Sequence, residues 1–355
     1  MFERAYADPY IIAEIGMNYE GSMERAKRMI ASIARAGGHA AKFQTYKAET
    51  LASVKNSPAY WDTSKEATTS QFELFQRFDS FGPDEYRELA EYCAEQGIDF
   101  LSTPFDLESV DMLGPLMPAV KIASADLTNV PLLRKVARTG KPVILSVGAS
   151  THDEIAWALD TLEAAGAAEI ALLHCVLRYP TPAEHANLMG IGELQRRFGD
   201  RATIGYSDHV APEGSGATPA LDMAVVMGAR VIEKHFTDDR NGIGNDHYHA
   251  FDEAGVVEFV SHLAKFRELA GTGAPDVEAQ GAAIQNARRR IFAARDIAAG
   301  SVLAEEDLIA LRADTGVEIS QWDSVVGREI DRAIGAGEPL TWDLICAGRA
   351  GEHGA

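Results

Sequence analysis

The stretch Arg230-Val-Ile-Glu-Lys-His235 combines two kinds of residue that a buried strand does not ordinarily hold together. Val231 and Ile232 suit a parallel strand covered on both faces. Glu233 and His235 do not, and being two apart they share one face of a strand. The pattern occurs seven more times upstream. Short apolar runs at Tyr10–Ile15, His39–Gln44, Ile98–Thr103, Val120–Ser124, Val143–Ser146, Ile170–His174 and Thr203–His209 carry Glu14, Lys42 with Gln44, Thr103, Lys121 with Ser124, Ser146, His174, and Ser207 with His209 in their last few positions. Polar groups repeated at strand ends have a common explanation in an eight-stranded α/β barrel, where those ends form one ring around one pocket.

The segments between the runs read as helices stopped by glycine. Met23–Ala36 follows a capping Ser22, Asp84–Gln96 ends at Gly97, Leu132–Thr139 at Gly140, Thr151–Ala165 at Gly166, Leu188–Phe198 at Gly199, Pro219–Met227 at Gly228, and Ala254–Ala270 at Gly271. This alternation predicts a (β/α)8 TIM barrel over residues 1–272. A segment over 273–286, rich in Gly, Ala, Pro and acid, reads as a linker. Residues 287–350 read as a small mixed domain with strands at Ile291–Ala294, Leu308–Arg312 and Val325–Ile330. Within it, Gly300-Ser-Val-Leu with Asp307-Leu-Ile and Gly337-Glu-Pro-Leu with Asp343-Leu-Ile echo each other. Each suggests a turn, an apolar anchor and a capped helical turn. The connection Lys47–Phe81 is long enough to be a substrate wall or a decorative insertion.

Net charge is −20, from 33 Lys and Arg against 53 Asp and Glu. With no basic stripe, nucleic acid and anionic membranes are not expected partners. Three cysteines without a CxxC pair point to a reducing compartment. The sequence contains no signal core and no apolar run long enough to span a bilayer, so a soluble cytoplasmic protein is expected.

His209 and His235 end neighbouring strands, each with a polar partner two residues earlier on the same face. Two imidazoles with nearby oxygen donors suit Mn²⁺, Zn²⁺ or Fe²⁺; paired structural histidines are the alternative. Lys42 and Lys121 inside a barrel must be paired or used. They could form a Schiff base after their pKa values are depressed, or hold an anion. With Thr103, Ser124, Ser146 and Ser207 they make a cation-plus-hydroxyl cradle, which fits an anionic ligand better than covalent catalysis. Glu14, Asp126 and Glu233 supply carboxylates for acid–base or orienting roles. Asp246 sits in a Gly-rich loop, where an Asx turn is the alternative reading. Cys175 reads as a small buried thiol, and Tyr179-Pro-Thr-Pro182 as a stiff pocket wall.

At these residues the chain strongly resembles the sialic acid synthase family. The resemblance is carried by Ala13-Glu-Ile-Gly-Met-Asn18, Lys42-Phe-Gln-Thr45, Leu101-Ser-Thr-Pro-Phe-Asp106, Lys121-Ile-Ala-Ser124, Leu173-His-Cys175, Tyr179-Pro180, Gly205-Tyr-Ser-Asp-His209 and Val231-Ile-Glu-Lys-His-Phe236. The tail from Arg289 to Ile345 looks like that family's antifreeze-like (SAF) domain. The resemblance implies condensation of phosphoenolpyruvate with an N-acylated amino-sugar aldehyde to a nine-carbon 2-keto acid, with release of phosphate. It implies that His209 and His235 hold a divalent metal, Mn²⁺ foremost with Mg²⁺ and Co²⁺ as the other candidates. Lys42, Thr103, Lys121, Ser124, Ser146 and Ser207 would bind phosphoenolpyruvate. Gln44, Phe105, Tyr179 and Arg312 would meet the sugar, and Glu14, Asp126, Glu233 and Asp246 would serve the acid–base steps. Arg312 would reach the site of the other subunit in a domain-swapped homodimer.

The chain departs from the family's pattern in four places. Asp126 stands where Glu is usual, Val176-Leu177 where a hydroxyl residue and a polar neighbour are, Asn245 where Pro is common, and Arg312-Ala-Asp314 where Arg-Pro-Gly is. Two other readings compete with the synthase: a Schiff-base pyruvate aldolase or lyase using Lys121 or Lys42, and a non-catalytic carbohydrate-binding protein.

Overall fold

In the computed structural model, residues 1–64, 66–212, 219–243 and 246–346 are described. Asn245 and residues 347–350 of the expected second domain lie outside them. The apolar runs form eight parallel strands: β1 (Tyr10–Gly16), β2 (Ala40–Thr45), β3 (Asp99–Pro104), β4 (Val120–Ile122), β5 (Val143–Ser146), β6 (Ile170–His174), β7 (Thr203–Asp208) and β8 (Val231–His235). The ladder order is β3-β2-β1-β8-β7-β6-β5-β4. The first strand therefore pairs with the last, and β3 packs beside β4 to bring the cylinder close to closure. β4 stops before Ser124 because Ser124–Asp126 winds into a 3₁₀ turn.

Several helices begin at a side-chain cap that the sequence offers. Ser22 accepts the N–H of Arg25, Thr151 and Glu154 satisfy each other reciprocally, and Asp252 accepts the N–H of Gly255. Such caps contribute about 1 kcal/mol each. Strand side chains facing outward, such as Ile11, Phe43, Leu145 and Ile232, are buried together with helix residues such as Ile30, Leu89, Leu133 and Leu159. Each aliphatic side chain so removed from water stabilises the fold by roughly 1.5–3 kcal/mol. At Gly205 a Cβ would stand 2.4 Å from both the Val231 carbonyl oxygen and Leu173 Cδ2, so this part of the cylinder admits only glycine.

The chain divides into two compact units, Met1–Gly271 and Thr272–Ala355. In the second, β9 (Arg289–Ala293) pairs antiparallel with β10 (Leu308–Arg312). Its own apolar cluster includes Ile291, Leu303, Leu308, Val325, Ile330, Leu340 and Ile345. The internal echo is structural. Gly300 and Gly337 have φ of 80° and 81°, Leu303 and Leu340 are buried, and 3₁₀ turns follow at Glu305–Asp307 and Trp342–Leu344.

One expectation is corrected here. Val325–Ile330 is not a strand: Trp322–Val325 is a helical turn, and the remainder pairs through isolated bridges of Glu329 with Val302 and Ile330 with Ile345. The expected linker contains a helix, Gly281–Ala287, in keeping with its three alanines.

Candidate active site

Fifteen of the sixteen residues singled out in the sequence line one cavity of about 330 Å³ at the C-terminal ends of the strands. They are Glu14, Lys42, Gln44, Thr103, Phe105, Lys121, Ser124, Asp126, Ser146, Tyr179, Ser207, His209, Glu233, His235 and Asp246. The exception is Arg312, exposed at the end of β10 in the second unit. The barrel registers explain the convergence. Glu14 lies level with Lys42 on one side and His235 on the other, Ser207 with Glu233, and Gln44 with Thr103. The connection between β2 and β3 forms the outer wall, contributing Leu51, Tyr60, Trp61, Glu66, Gln71, Leu74 and Phe75. It is a wall rather than a decoration.

At the base of the cavity two ammonium groups flank one carboxylate. Glu233 lies 3.7 Å from Lys42 Nζ and 3.8 Å from Lys121 Nζ, and it accepts a 3.0 Å hydrogen bond from Ser207. Lys42 also pairs with Glu14 and donates to Thr103 Oγ1 at 3.1 Å, while Lys121 donates to the Ile122 carbonyl at 3.0 Å. Burial pulls the Lys42 ammonium down to about 7 against the opposing pull of Glu233, and Lys121 adds repulsion. Burial acts to raise Glu233, but Lys121, Lys42 and Ser207 outweigh it and hold the carboxylate below its usual range. Ser146 Oγ and Glu233 Oε2 are buried without a hydrogen-bond partner among the described residues. Buried polar atoms left open in this way are costly unless a ligand completes them.

Beside this base stands a group of imidazoles. His209 and His235 have ring centroids 5.6 Å apart, and Tyr179 lies over His209 at 4.3 Å. The His209 Nδ1–H donates to the Val176 carbonyl at 2.8 Å, which leaves Nε2 as the ligand nitrogen. This gives Val176 a backbone role at a position where its side chain departs from the expected pattern. Asp246 Oδ2 lies 3.3 Å from His235 Nδ1. One residue absent from the sequence-based expectations joins them: His249, completely buried, whose ring is 4.7 Å from His235 and 6.1 Å from His209. Ligand atoms of His235, Asp246 and His249 all lie within 4.8 Å of one another. Burial drives His209 down to about 4 and His235 and His249 well below the ordinary imidazole range. All three are therefore neutral at neutral pH, the form that ligates metals. The donor set, nitrogen-rich with one carboxylate and with a His235 Nδ1 that makes no hydrogen bond among the described residues, fits a divalent transition metal.

Three polar residues of the same strands serve structure instead. His174 stacks on Tyr206 and bonds the Ala186 carbonyl at 3.0 Å. Asp208 and Lys234 form a fully buried 2.7 Å ion pair. Cys175 lines the cavity as a thiol that burial raises above its ordinary range.

With this geometry established, similarity to known proteins becomes informative. Residues 29–275 match the NeuB family and residues 288–345 the SAF domain. The chain is 34% identical over 343 residues to the N,N'-diacetyllegionaminic acid synthase of Legionella pneumophila, covering 95% of this chain and 94% of that one. A solved N-acetylneuraminic acid (sialic acid) synthetase from Leptospira borgpetersenii, in complex with citrate, superposes with a TM-score of 0.67 at 34% identity, over 78% of this chain and 90% of the other. A putative spore coat polysaccharide biosynthesis protein E from Chromobacterium violaceum gives a TM-score of 0.76 at 25% identity over 95% and 99%. The chain belongs to the NeuB family, the sialic acid synthases, with a SAF domain following its barrel.

Proposed function

We propose that the protein condenses phosphoenolpyruvate with the open-chain aldehyde of an N-acylated amino sugar. With one water consumed, the products are a nine-carbon 2-keto acid and phosphate. The observation that carries this reading is the pair Lys42 and Lys121 at the cavity base, ringed by Thr103, Ser124, Ser146 and Ser207, within one cavity that also holds the histidine group. Two ammonium groups and four hydroxyls suit a substrate carrying both phosphate and carboxylate. His209, His235 and Asp246 would hold a divalent ion, with Mn²⁺, Mg²⁺ and Co²⁺ as candidates. When bound, it polarises the aldehyde oxygen.

The chain's own groups account for the remaining steps. The lysines fix the enol so that its carbon 3 faces the aldehyde carbon, and the new carbon–carbon bond leaves positive charge on carbon 2. Water adds there, and Glu14 and Glu233, the carboxylates in contact with the lysine pair, are placed to take its proton, which balances the one gained by the former aldehyde oxygen. The bond from carbon 2 to the phosphate oxygen then breaks. Lys42 and Lys121 stabilise the charge that gathers on the departing phosphate.

The acceptor would meet the rest of the cavity lining, which differs in character from the lysine pair. Met17, Leu51, Tyr60, Trp61, Phe75, Phe105 and Tyr248 belong to that lining together with Glu66, Asp126 and Asp246. Among the described lining residues, the ammonium and guanidinium groups are Lys42 and Lys121 alone. An uncharged, acyl-bearing sugar suits such a wall, and a sugar phosphate would meet carboxylates. A homodimer in which Arg312 reaches the partner's sugar pocket belongs to the same proposal, as does a cytoplasmic location. Among the described residues no helix is long and apolar enough to cross a membrane.

A phosphate-release screen with phosphoenolpyruvate and N-acetylmannosamine, its 6-phosphate, or diacetamido-trideoxyhexoses tests the reading. Release is expected only with a free, non-phosphorylated acceptor, with a product of the summed mass. Release that requires the 6-phosphate contradicts the acceptor assignment. Borohydride trapping of pyruvate on Lys42, whose lowered pKa also suits a Schiff base, would replace the synthase by an aldolase.

A further inference from the structure

Two histidines occupy the same turn after β8 and are both completely buried. His247 is satisfied: its Nδ1 is 2.7 Å from Thr237 Oγ1 and its Nε2 is 3.3 Å from Glu20. His249 is not. Neither of its ring nitrogens has a hydrogen-bond partner among the described residues, and its contact with Asp246, at 3.7 Å, is longer than a hydrogen bond. Leaving one buried donor or acceptor open costs roughly 1–3 kcal/mol. An apolar ring would fill the space among Tyr179, Tyr248 and His235 without that cost.

We infer that His249 is a metal ligand, so that the cation is held by three imidazoles, His209, His235 and His249, together with Asp246. The inference rests on the synthase reading and goes beyond the two-histidine site expected from the sequence. The distances support it. An imidazole nitrogen binds a first-row metal at about 2.1 Å, which places the centroids of rings sharing one ion about 4.5–6 Å apart. The His235–His249 and His209–His235 separations of 4.7 and 5.6 Å fall in that range, the His209–His249 separation of 6.1 Å lies just beyond it, and ligand atoms of His235, Asp246 and His249 lie within 4.8 Å of one another. A centre with three nitrogens and one carboxylate favours Mn²⁺, Fe²⁺, Co²⁺ or Zn²⁺ over Mg²⁺, which prefers oxygen ligands.

The test uses the full-length protein and metal alone, without either substrate. X-ray absorption of the Co²⁺-loaded wild-type protein should count three imidazoles per ion, and His249→Phe, which keeps a ring and removes both nitrogens, should count two. Titration calorimetry should show Co²⁺ affinity falling about 100-fold in His249→Phe, with Mg²⁺ binding far more weakly than Co²⁺ in the wild type. Two imidazoles in the wild type, or unchanged affinity in a folded His249→Phe, overturns the role of His249 while leaving the synthase reading intact. Should His249→Phe fail to fold, the wild-type imidazole count decides. Failure of the wild type to bind Co²⁺, Mn²⁺ or Zn²⁺ would remove both this inference and the metal from the proposed function.

Discussion

Strands β7 and β8 carry two buried charged clusters, one on each side of the barrel wall, and the two are built on opposite principles. On the outward side Asp208 accepts from Lys234 at 2.7 Å, from the Tyr206 hydroxyl at 2.8 Å and from the Val210 N–H at 2.9 Å, and Lys234 also donates to the Val210 carbonyl. On the inward side, one residue along on each strand, Ser207 and Glu233 face Lys42 and Lys121 at longer range, with Ser146 Oγ, Glu233 Oε2 and the His249 nitrogens left open. Burial and charge are alike in the two clusters; satisfaction of the polar atoms is not. A completed cluster supports the fold, whereas an incomplete one is shaped for something that arrives.

The largest effect expected from this contrast is on stability. Asp208→Ala strands the Lys234 ammonium in a dry interior and should cost about 3–5 kcal/mol, measured by denaturant unfolding. A double replacement, Asp208→Leu with Lys234→Met, should recover most of that loss. If Asp208→Ala unfolds at the wild-type midpoint, the outward pair is not structural. Next comes Lys121→Ala on the inward side. It should weaken phosphoenolpyruvate binding about 100-fold, equivalent to ~3 kcal/mol, while shifting the unfolding midpoint little. The reverse pattern would make the inward cluster a second structural pair.

A smaller effect follows from Lys42, whose ammonium is lowered to about 7 by burial from about 10.4 in an unfolded chain. Between those values the unfolded chain binds more protons, so this group makes stability rise with pH. Phosphoenolpyruvate needs the charged form and restores the proton, so its affinity should fall by up to about tenfold per pH unit from pH 7 to 9. Lys42→Met should bind weakly at every pH and lose that slope; a flat wild-type profile would show that Lys42 does not meet the ligand. The smallest effect is expected at Arg312. Arg312→Ala should raise KM for the sugar several-fold, leave the barrel's stability unchanged, and leave phosphoenolpyruvate affinity alone. An unchanged KM would remove this arginine from the sugar site.

The barrel and its ring of polar residues were legible because strand alternation and strand ends are local properties. A Glu two residues before a His must share its face wherever the strand lies, and eight such ends can meet only at one mouth of a cylinder. What was not legible depends on the tertiary environment. His249 follows the last strand in a loop with no periodicity, so nothing in His247-Tyr-His249 says that one imidazole finds Thr237 and Glu20 while the other finds none. Asp208 and Lys234 pass unnoticed for the same reason, since their pairing requires knowing that the two strands are neighbours in register. In the second unit, Val325 and Ile330 mimic a strand, but an apolar cluster accepts them equally well from a helical turn and a bridge. The departure at Val176 proves informative only in three dimensions, where its carbonyl orients His209.

The central claim is that the open polar atoms at the barrel mouth clasp one cation and one phosphorylated enol for reaction with an aldehyde. Its most direct test is phosphate release by metal-stripped protein given phosphoenolpyruvate and a free N-acylated amino sugar, before and after Mn²⁺ is returned. No release is expected without metal, with recovery on Mn²⁺ and dependence on both substrates throughout. Release that proceeds from phosphoenolpyruvate alone, or that ignores the removal of metal, would contradict the claim.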